Sequence, residues 1–515
     1  MKIVLISTLK EPTNQGLRIL SSILKNANYN VTMVFMTSNK SYNKGELEQL
    51  GLICKNCDLV GLSSFSEDTI KTIQIIDFLK KKVKNIVWGG VHATLYPEDC
   101  IKHCDIVCVG EGEDVILDLV KTIEKNKSID NIKNLWIKKE GTIIKNPIRN
   151  MIDKLDNIPF PDFKIETHFI LKKEKIQKFK EEDLNGQIRF MTGRGCPYGC
   201  GYCSNNVFNK LYRGKRRCVL RYHSINYIIN FLSYLKNKFS SVECLEISDD
   251  SFSFRPLPEI KEFSERYKKE VGIKFYCSVD AITLVEEKVK LLSDAGCHMI
   301  TSGIQSSEKI NREIYNRNIT DKQVLNCAKI LNKFKENLSA NYDVITCNPY
   351  EKPEDIINLI NLLRKLPKPY RLAVSGLIFF PGTDITNMAL RDNLIKKEDL
   401  FLDFDYSSDN GKYLLMRKKN LYLNLIVTLM RGISVGNKIG SIHDSWFDYL
   451  LDERRVKKNL RNPSSVILFI RFWMIYNFIK YKIIKKIYEN LPKSFKEGYM
   501  KVRLKDKIVY NSKQN

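Results

Sequence analysis

The chain has 515 residues, too many for one ordinary hydrophobic core, and its length predicts about three domains. Its formal net charge is +25. The lysines are spread along the chain, which is typical of a solvated surface and argues against a nucleic-acid partner, because a nucleic-acid site needs a clustered basic patch. The 14 cysteines lie mostly in apolar runs, which argues against a secreted disulfide framework and favours a reducing, cytoplasmic compartment.

The first 140 residues alternate short apolar strands with helical periods. We find no signal-peptide pattern before the first strand and no run of 18 apolar residues that would predict a membrane-spanning helix. Alternating strands and helices predict an α/β fold, here a Rossmann-like (flavodoxin-like) domain over 1–140 that binds its ligand at the carboxyl ends of parallel strands. The predicted strands are 3–7, 31–35, 59–63, 86–89 and 106–109, and the predicted helices are 17–27, 69–82 and 113–123.

Small and polar residues stand at four of these strand ends. A pair of glycines lets a bulky ligand approach the backbone closely, because no side chain intervenes. Each glycine taken singly is also compatible with an ordinary turn. The candidate binding residues at these ends are Gly16, Ser63, Ser64, Gly89, Gly90, His92, Gly110 and Glu111.

Beyond this domain the periodicity changes twice. Residues 141–185 are predicted to be a linker, and 186–390 alternate again in the pattern of a partial (β/α)6 barrel. Residues 391–515 are predicted to be a helical, basic C-terminal extension, in which 463–489 either pack on the barrel or lie peripherally on a membrane surface. The six barrel strands are predicted at 188–191, 243–248, 274–279, 298–304, 341–346 and 372–379.

Three cysteines follow the first barrel strand directly, with the spacing Cys196-x3-Cys200-x2-Cys203. Three thiolates on one loop can hold three irons of a [4Fe-4S] cluster and leave the fourth iron open to another ligand. The competing interpretation is a zinc site completed by Cys218 or His223. Structural zinc sites usually pair two short cysteine motifs, and only one is present, so the spacing favours the cluster.

This cysteine spacing, with an aromatic residue before the last cysteine, resembles the signature of the radical S-adenosylmethionine enzymes. The resemblance implies that S-adenosylmethionine binds the open iron and is cleaved to a 5′-deoxyadenosyl radical, with a reducing partner such as ferredoxin or flavodoxin. Later strand ends also resemble the family, although a glutamine stands where glutamate is frequent and a serine where arginine is frequent. The implied S-adenosylmethionine contacts are Tyr202, Asp249, Asp250, Asp280, Gln305 and Arg317.

The N-terminal strand ends resemble the cobalamin-binding domain that is fused to one branch of these enzymes. Cobalamin domains with an axial histidine carry an Asp-x-His-x-x-Gly loop after the first strand, and the corresponding loop from Thr8 to Gly16 has no histidine. The resemblance therefore implies cobalamin without a protein imidazole on its lower face, which favours methyl transfer. His92 lies at the wrong strand end for that ligand and is either a corrin contact or a structural histidine.

Together, these resemblances imply an enzyme that removes hydrogen from an unactivated carbon and methylates it from methylcobalamin. The expected substrate is a small molecule, a lipid or a peptide. The alternatives are a cobalamin-containing cyclase or rearrangement enzyme, a methylthiotransferase acting on transfer RNA, and a cobalamin- or redox-sensing binding protein. The methylthiotransferases need N-terminal cysteines in Asn-Thr-Cys contexts and a β-rich C-terminal domain, and neither pattern occurs in this sequence.

Overall fold

The computed structural model describes residues 1–214, 220–401, 420–430 and 444–461. Nine strands form the N-terminal sheet, and its central strands are buried on both faces, as expected for parallel strands covered by helices. The strands are β1 (Lys2–Ser7), β2 (Asn30–Phe35), β3 (Leu59–Ser63), β4 (Ile86–Gly89), β5 (Ile106–Cys108), β6 (Leu135–Lys139), β7 (Thr142–Lys145), β8 (His168–Lys172) and β9 (Lys175–Lys178). The helices are α1 (Gln15–Asn26), α2 (Lys44–Ile53), α3 (Thr69–Leu79), α4 (Val91–Leu95), α5 (Pro97–His103) and α6 (Glu113–Glu124).

The parallel strands of this sheet have the order β8-β2-β1-β3-β4-β5, in which β2-β1-β3-β4-β5 is the flavodoxin-like order. In this order the chain reverses its winding between β1 and β3, and a crevice forms at the carboxyl ends beside that point. The antiparallel hairpins β6-β7 and β8-β9 extend the two edges. The hairpin β8-β9 lies within the predicted linker 141–185 and pairs with β2, so part of that segment belongs to the N-terminal sheet.

The second sheet contains six parallel strands in the order β10-β13-β14-β15-β16-β17, and its first and last strands are not paired with each other. This open sheet confirms the predicted partial barrel. Its strands, together with the short ribbon β11-β12, are β10 (Gln187–Phe190), β11 (Gly193–Arg194), β12 (Arg221–Tyr222), β13 (Cys244–Ile247), β14 (Lys274–Val279), β15 (Cys297–Gln305), β16 (Ser339–Thr346) and β17 (Arg371–Gly376). Its helices are α7 (Ser204–Leu211), α8 (Ile225–Lys238), α9 (Leu257–Arg266), α10 (Glu286–Asp294), α11 (Glu308–Glu313), α12 (Asp321–Asn332), α13 (Pro353–Arg364) and α14 (Asp384–Arg391).

The described parts of the C-terminal region are helical, as predicted: α15 (Leu421–Leu429), α16 (Asp444–Leu450) and α17 (Glu453–Arg461). Apolar side chains of α15 pack into the main core, and Asn420 donates to the carbonyl oxygen of Glu351 at 2.8 Å. The predicted helix 463–489, with its two alternative locations on the barrel or on a membrane surface, lies outside the described residues. Within the described ranges, no helix combines the length and apolar character that a bilayer crossing requires.

The carboxyl ends of the two sheets face each other. Gln15, at the end of the loop after β1, exchanges two hydrogen bonds with the backbone of Met191 after β10, at 2.7 and 3.3 Å. On the other side, a Cβ built on Gly382, in the loop after β17, would lie only 2.6 Å from the carbonyl oxygen of Leu95 on α4. The carboxyl-terminal edges of the two sheets therefore contact each other at two places.

Candidate functional site at the facing strand ends

The cysteine loop is fastened from two sides. Asn209 on α7 donates from its amide nitrogen to the carbonyl oxygens of Cys196 and Tyr198, at 3.0 and 3.2 Å. From the barrel, the carbonyl oxygen of Tyr315 accepts the N–H of Gly201 at 2.8 Å. These bonds fix the loop backbone without using a cysteine side chain, so the geometry of the loop does not depend on its thiols.

The three thiols lie close to one another and are partly shielded from water. Cys200 is buried, and burial raises the pKa of Cys196 to about 12 and that of Cys203 to about 11. No group of three His, Cys, Asp or Glu side chains in the described ranges is arranged around a single metal ion. A cubane cluster binds each thiolate through a different iron and so separates them more than one ion does. The donor set fits a [4Fe-4S] cluster, whose positive irons would stabilise the thiolates.

The two adjacent aspartates after β13 have different surroundings. Asp249 is buried, and its Oδ1 accepts the N–H groups of Thr192 and Gly193 at 2.5 and 3.1 Å. Asp250 is exposed beside the cysteine loop and accepts the amide of Asn205 at 2.6 Å. Asp249 therefore braces the segment that leads to the cysteines, while Asp250 lies beside the cysteine loop itself.

Arg317 and Tyr202 meet above the β15 end. The guanidinium of Arg317 donates to the hydroxyl of Tyr202 at 3.3 Å and to the carbonyl oxygen of Gly303 at 2.9 Å. The Gly303 position is crowded, because a Cβ there would lie 2.5 Å from Nε2 of Gln305. Gln305 itself has a φ of 68°, a costly backbone conformation that is most often kept at functional sites.

Asp280 reaches the cysteine loop through an aromatic side chain. Tyr198, between the first two cysteines, donates its hydroxyl to Oδ1 of Asp280 at 3.0 Å. The same oxygen accepts the N–H groups of Ile282 and Thr283, at 3.0 and 3.2 Å, and so fixes the turn after β14. Asp280 therefore supports the loop in the structure, a role that the sequence did not indicate.

Asp250 and Arg317 provide opposite charges on two sides of the cysteine loop. A carboxylate can bind an ammonium group, and a guanidinium can bind a carboxylate through two parallel hydrogen bonds. This charge arrangement fits the amino-acid end of S-adenosylmethionine, which carries both groups. The residues therefore fit both the cluster and its expected ligand.

A buried acid lies one strand further along the barrel. Glu351 accepts the hydroxyl of Ser306 at 2.5 Å, and burial raises its pKa from 4.5 to about 7. Between these pH values the folded protein retains a proton that the unfolded chain has released, so stability falls as the pH rises through this window and levels off above it. We expect Glu351→Gln to raise the melting temperature at pH 8, by removing a penalty of roughly 3 kcal/mol.

Melting curves of the apoprotein between pH 5 and 8 test this prediction. The exposed neighbour Glu354 on α13 provides the control, and Glu354→Gln should leave the pH dependence unchanged. Equal pH dependence in Glu351→Gln and the unmodified protein would contradict the expected titration.

On the N-terminal side, three predicted residues leave space beside them. A Cβ on Gly16 would meet no atom closer than Oδ1 of Asn14 at 3.8 Å, and a Cβ on Gly89 would meet Cys108 only at 3.5 Å. Ser63 is partly exposed at the end of β3. These positions fit a large ligand that lies across the carboxyl ends of β1, β3 and β4.

Three other predicted residues are used by the domain itself. A Cβ on Gly90 would lie 2.6 Å from Oγ of Ser63, and Gly90 has a φ of 92°, so glycine is needed there for the chain to turn. Ser64 accepts the indole N–H of Trp88 at 2.9 Å. His92 is fully buried, with Nδ1 3.0 Å from Oγ of Ser66, and burial lowers its pKa to about 4. These contacts favour the structural interpretation of His92.

Gly110 and Glu111 lie at the junction between the domains. A Cβ on Gly110 would lie 2.3 Å from the hydroxyl oxygen of Tyr212, which also accepts the N–H of Glu111 at 2.8 Å. The Glu111 carboxylate binds Arg194 at 3.2 Å and Arg221 at 2.6 Å. The structure therefore engages the Glu111 carboxylate with the barrel domain, where the sequence had suggested a cobalamin contact.

Sequence reasoning missed the residues that join the domains, namely Gln15, Arg194, Tyr212 and Arg221. Arg194 stands two residues before the first cysteine, where an arginine carries no recognisable pattern. Tyr212 and Arg221 both bind Glu111, which lies 101 and 110 residues before them in the sequence. The only available signal was the glycine at position 110, which is equally compatible with a turn.

Comparisons with known proteins agree with both halves of the site. Residues 1–120 match the B12 binding domain, and residues 190–363 match the radical SAM superfamily. An uncharacterized methyltransferase of Pyrococcus horikoshii is 28% identical over 66% of this chain and 70% of its own length. The bacteriochlorophyllide d C-8(2)-methyltransferase of Chlorobaculum tepidum is 25% identical over 66% of this chain and 70% of its own length.

Two solved structures share the fold. The radical S-adenosylmethionine methyltransferase TsrM from Kitasatospora setae superposes with a TM-score of 0.60 at 15% identity, covering 76% of each chain. The cobalamin-dependent S-adenosylmethionine radical enzyme OxsB gives a TM-score of 0.61 at 16% identity, covering 93% of this chain and 76% of that chain. The chain therefore contains a B12-binding domain and a radical SAM domain, in an enzyme similar to the cobalamin-dependent radical SAM methyltransferases.

Proposed function

We propose that this enzyme methylates an unactivated carbon of its substrate, using S-adenosylmethionine at the cysteine loop and cobalamin at the carboxyl ends of the N-terminal sheet. The facing of the two sets of strand ends carries this proposal, through the contacts of Gln15 with Met191 and of Leu95 with Gly382. When bound, the cluster supplies the electron that cleaves S-adenosylmethionine, and cobalamin carries the methyl group. A transferable methyl group and a radical source would then share one enclosed region.

The chain's own residues have three tasks in this reaction. Asp250 and Arg317 orient the amino-acid end of S-adenosylmethionine by charge, and Tyr202 holds the guanidinium of Arg317 in place. The cysteine loop, fixed through its backbone, keeps its geometry when the ligand changes. The packing of Gly382 against Leu95 closes one side of the region, which limits the access of water to a reactive radical.

We also propose that cobalamin is bound without a protein histidine on its lower face. The loop between β1 and α1 contains no histidine, and Gln15 at the start of α1 is held by the backbone of Met191. His92 is buried behind Ser66 and Trp88 and does not reach the strand-end surface. A metal without a strong lower ligand holds a methyl group less firmly, which suits methyl transfer.

The proposed substrate rests on the names of the relatives, and the proposed reductant rests on the net charge of the chain. The relatives from Chlorobaculum tepidum are named for methylating bacteriochlorophyllides, which favours a large apolar small molecule within the expected range of small-molecule, lipid and peptide substrates. The net charge of +25 would attract an acidic electron donor such as ferredoxin or flavodoxin. A transfer RNA substrate finds no support in the names of these relatives.

The test uses the full chain, reconstituted anaerobically with iron, sulfide and hydroxocobalamin, then reduced and incubated with S-adenosylmethionine labelled in its methyl group. We expect both 5′-deoxyadenosine and S-adenosylhomocysteine, and a Co(II) electron paramagnetic resonance spectrum without nitrogen splitting from an axial imidazole. Formation of 5′-deoxyadenosine without S-adenosylhomocysteine would favour cyclisation or rearrangement. Nitrogen splitting that changes when the protein's histidines carry the nitrogen-15 isotope would contradict the proposed lower face.

A further inference from the structure

The Glu111 carboxylate is the centre of an ion-pair cluster between the domains. Its Oε1 lies 2.6 Å from Nη2 of Arg221 and 3.2 Å from Nη1 of Arg194, and its Oε2 accepts the N–H of Ile152 at 3.0 Å. Arg194 also binds Glu113 at 2.6 Å. The Arg221 side chain is only 2% exposed and that of Glu111 is 13% exposed, so water screens these charges poorly.

The backbone at the same place is equally constrained. Gly110 has a φ of 86°, and its missing side chain leaves the space that the Tyr212 hydroxyl occupies. That hydroxyl accepts the N–H of Glu111, and Asn134 donates to the carbonyl oxygen of Glu111 at 3.2 Å. Both the side chain and the main chain of Glu111 are thus fixed.

The partners of Glu111 flank the cysteine loop in sequence. Arg194 stands two residues before Cys196, and Tyr212 follows directly after α7, the helix that begins after Cys203. On the other side of the contact, Glu111 lies just beyond the carboxyl end of β5, at the ligand edge of the N-terminal sheet. One residue of the N-terminal domain therefore holds both ends of the cysteine segment.

We propose that Glu111 is a positioning residue that sets the distance and orientation between the cysteine loop and the ligand edge of the N-terminal sheet. This inference rests on the proposed function, because it concerns the methyl transfer that must cross the domain boundary. Arg221 donates to both oxygens of the Glu111 carboxylate, at 2.6 and 3.2 Å, and Arg194 bridges Glu111 to Glu113. Planar, directional guanidinium contacts of this kind restrict rotation as well as distance. S-adenosylmethionine cleavage needs only the barrel domain, whereas transfer of its methyl group to cobalamin needs both domains in register.

The test compares Glu111→Gln with the unmodified holoenzyme. The amide retains the size of the side chain but turns an N–H₂ group toward an arginine. We expect 5′-deoxyadenosine formation to stay within about twofold, and S-adenosylhomocysteine formation to fall by about 10²-fold, the effect of a misplacement of roughly 1 Å. The magnetic interaction between the reduced cluster and Co(II) should also change in the paramagnetic resonance spectrum.

A matched control is available inside the barrel domain. Asp355 on α13 is buried and pairs with Lys309 on α11 at 3.2 Å, so Asp355→Asn removes a similar charge without touching the domain boundary. It should leave the ratio of the two products and the spin interaction unchanged. Tyr212→Phe, which removes only the acceptor for the Glu111 N–H, should shift the product ratio in the same direction as Glu111→Gln but less.

Two outcomes would overturn the inference: parallel loss of both products in Glu111→Gln and Tyr212→Phe, or an unchanged product ratio in Tyr212→Phe with both cofactors bound. Hydrogen exchange of the apoprotein separates this inference from the proposed function. Faster exchange at both 110–113 and 193–203 in Glu111→Gln is expected even if the unmodified enzyme forms neither product. Unchanged exchange at these two segments would contradict the positioning role whatever the reaction is.

Discussion

Replacing any one of Cys196, Cys200 and Cys203 with alanine should abolish S-adenosylmethionine cleavage. Two thiolates cannot hold a cubane with a single open iron, so bound iron should fall from about four atoms per chain to background. Because the loop backbone is fixed by Asn209 and by Tyr315, the fold around the loop should persist. Iron content, the cluster absorption band and 5′-deoxyadenosine yield measure the loss.

The control for these variants is Cys57→Ser. Cys57 is also half-buried, but it precedes β3 at the opposite edge of the N-terminal sheet. It should retain iron and activity, and all four variants should still bind cobalamin. Full iron content in Cys196→Ala, Cys200→Ala or Cys203→Ala would show that the cluster is held by other residues.

Replacing Gly16 with leucine should weaken cobalamin binding while leaving the cluster in place. The position is open, with the nearest atom 3.8 Å from a built Cβ, so the domain can accept the side chain. A ligand forced against that side chain would lose about 1–3 kcal/mol, and affinity for cobalamin should fall roughly tenfold to a hundredfold.

Gly45→Leu is a close control for this variant. Gly45 is the second residue of α2 after the capping residue Asn43, as Gly16 is the second residue of α1 after Asn14. Its built Cβ also has the cap Oδ1 as nearest atom, at 3.4 Å. Equal cobalamin affinity for Gly16→Leu and Gly45→Leu, measured by equilibrium dialysis, would contradict a corrin beside α1.

The regular part of the fold was predictable because its parallel strands carry apolar residues in a regular pattern. These residues form a continuous buried run in β4 and alternate with less buried residues in β14, and both strands end in the structure where they were predicted to end. The hairpin β8-β9 was missed, since its short strands carry lysines on the exposed face and resemble a loop. Its place in the sheet depends on pairing with β2, more than a hundred residues away in sequence.

The cysteine loop was predictable because its chemistry lies within eight consecutive residues. The roles of glycines were not, since a glycine in sequence does not say what approaches it. Gly16 leaves open space, whereas Gly110 accommodates Tyr212 of the other domain. In the same way, the sequence could not distinguish Asp249 from Asp250, because their roles depend on which of them faces Thr192 across the sheet.

The central claim is that one enclosed region holds an open-iron cluster opposite a corrin. The most direct measurement is the electron paramagnetic resonance spectrum of the unmodified holoenzyme, with the cluster reduced and cobalt as Co(II). We predict that the signal of the reduced cluster and the signal of Co(II) are each split or broadened by the other. Two unperturbed signals at full occupancy of both cofactors would contradict it.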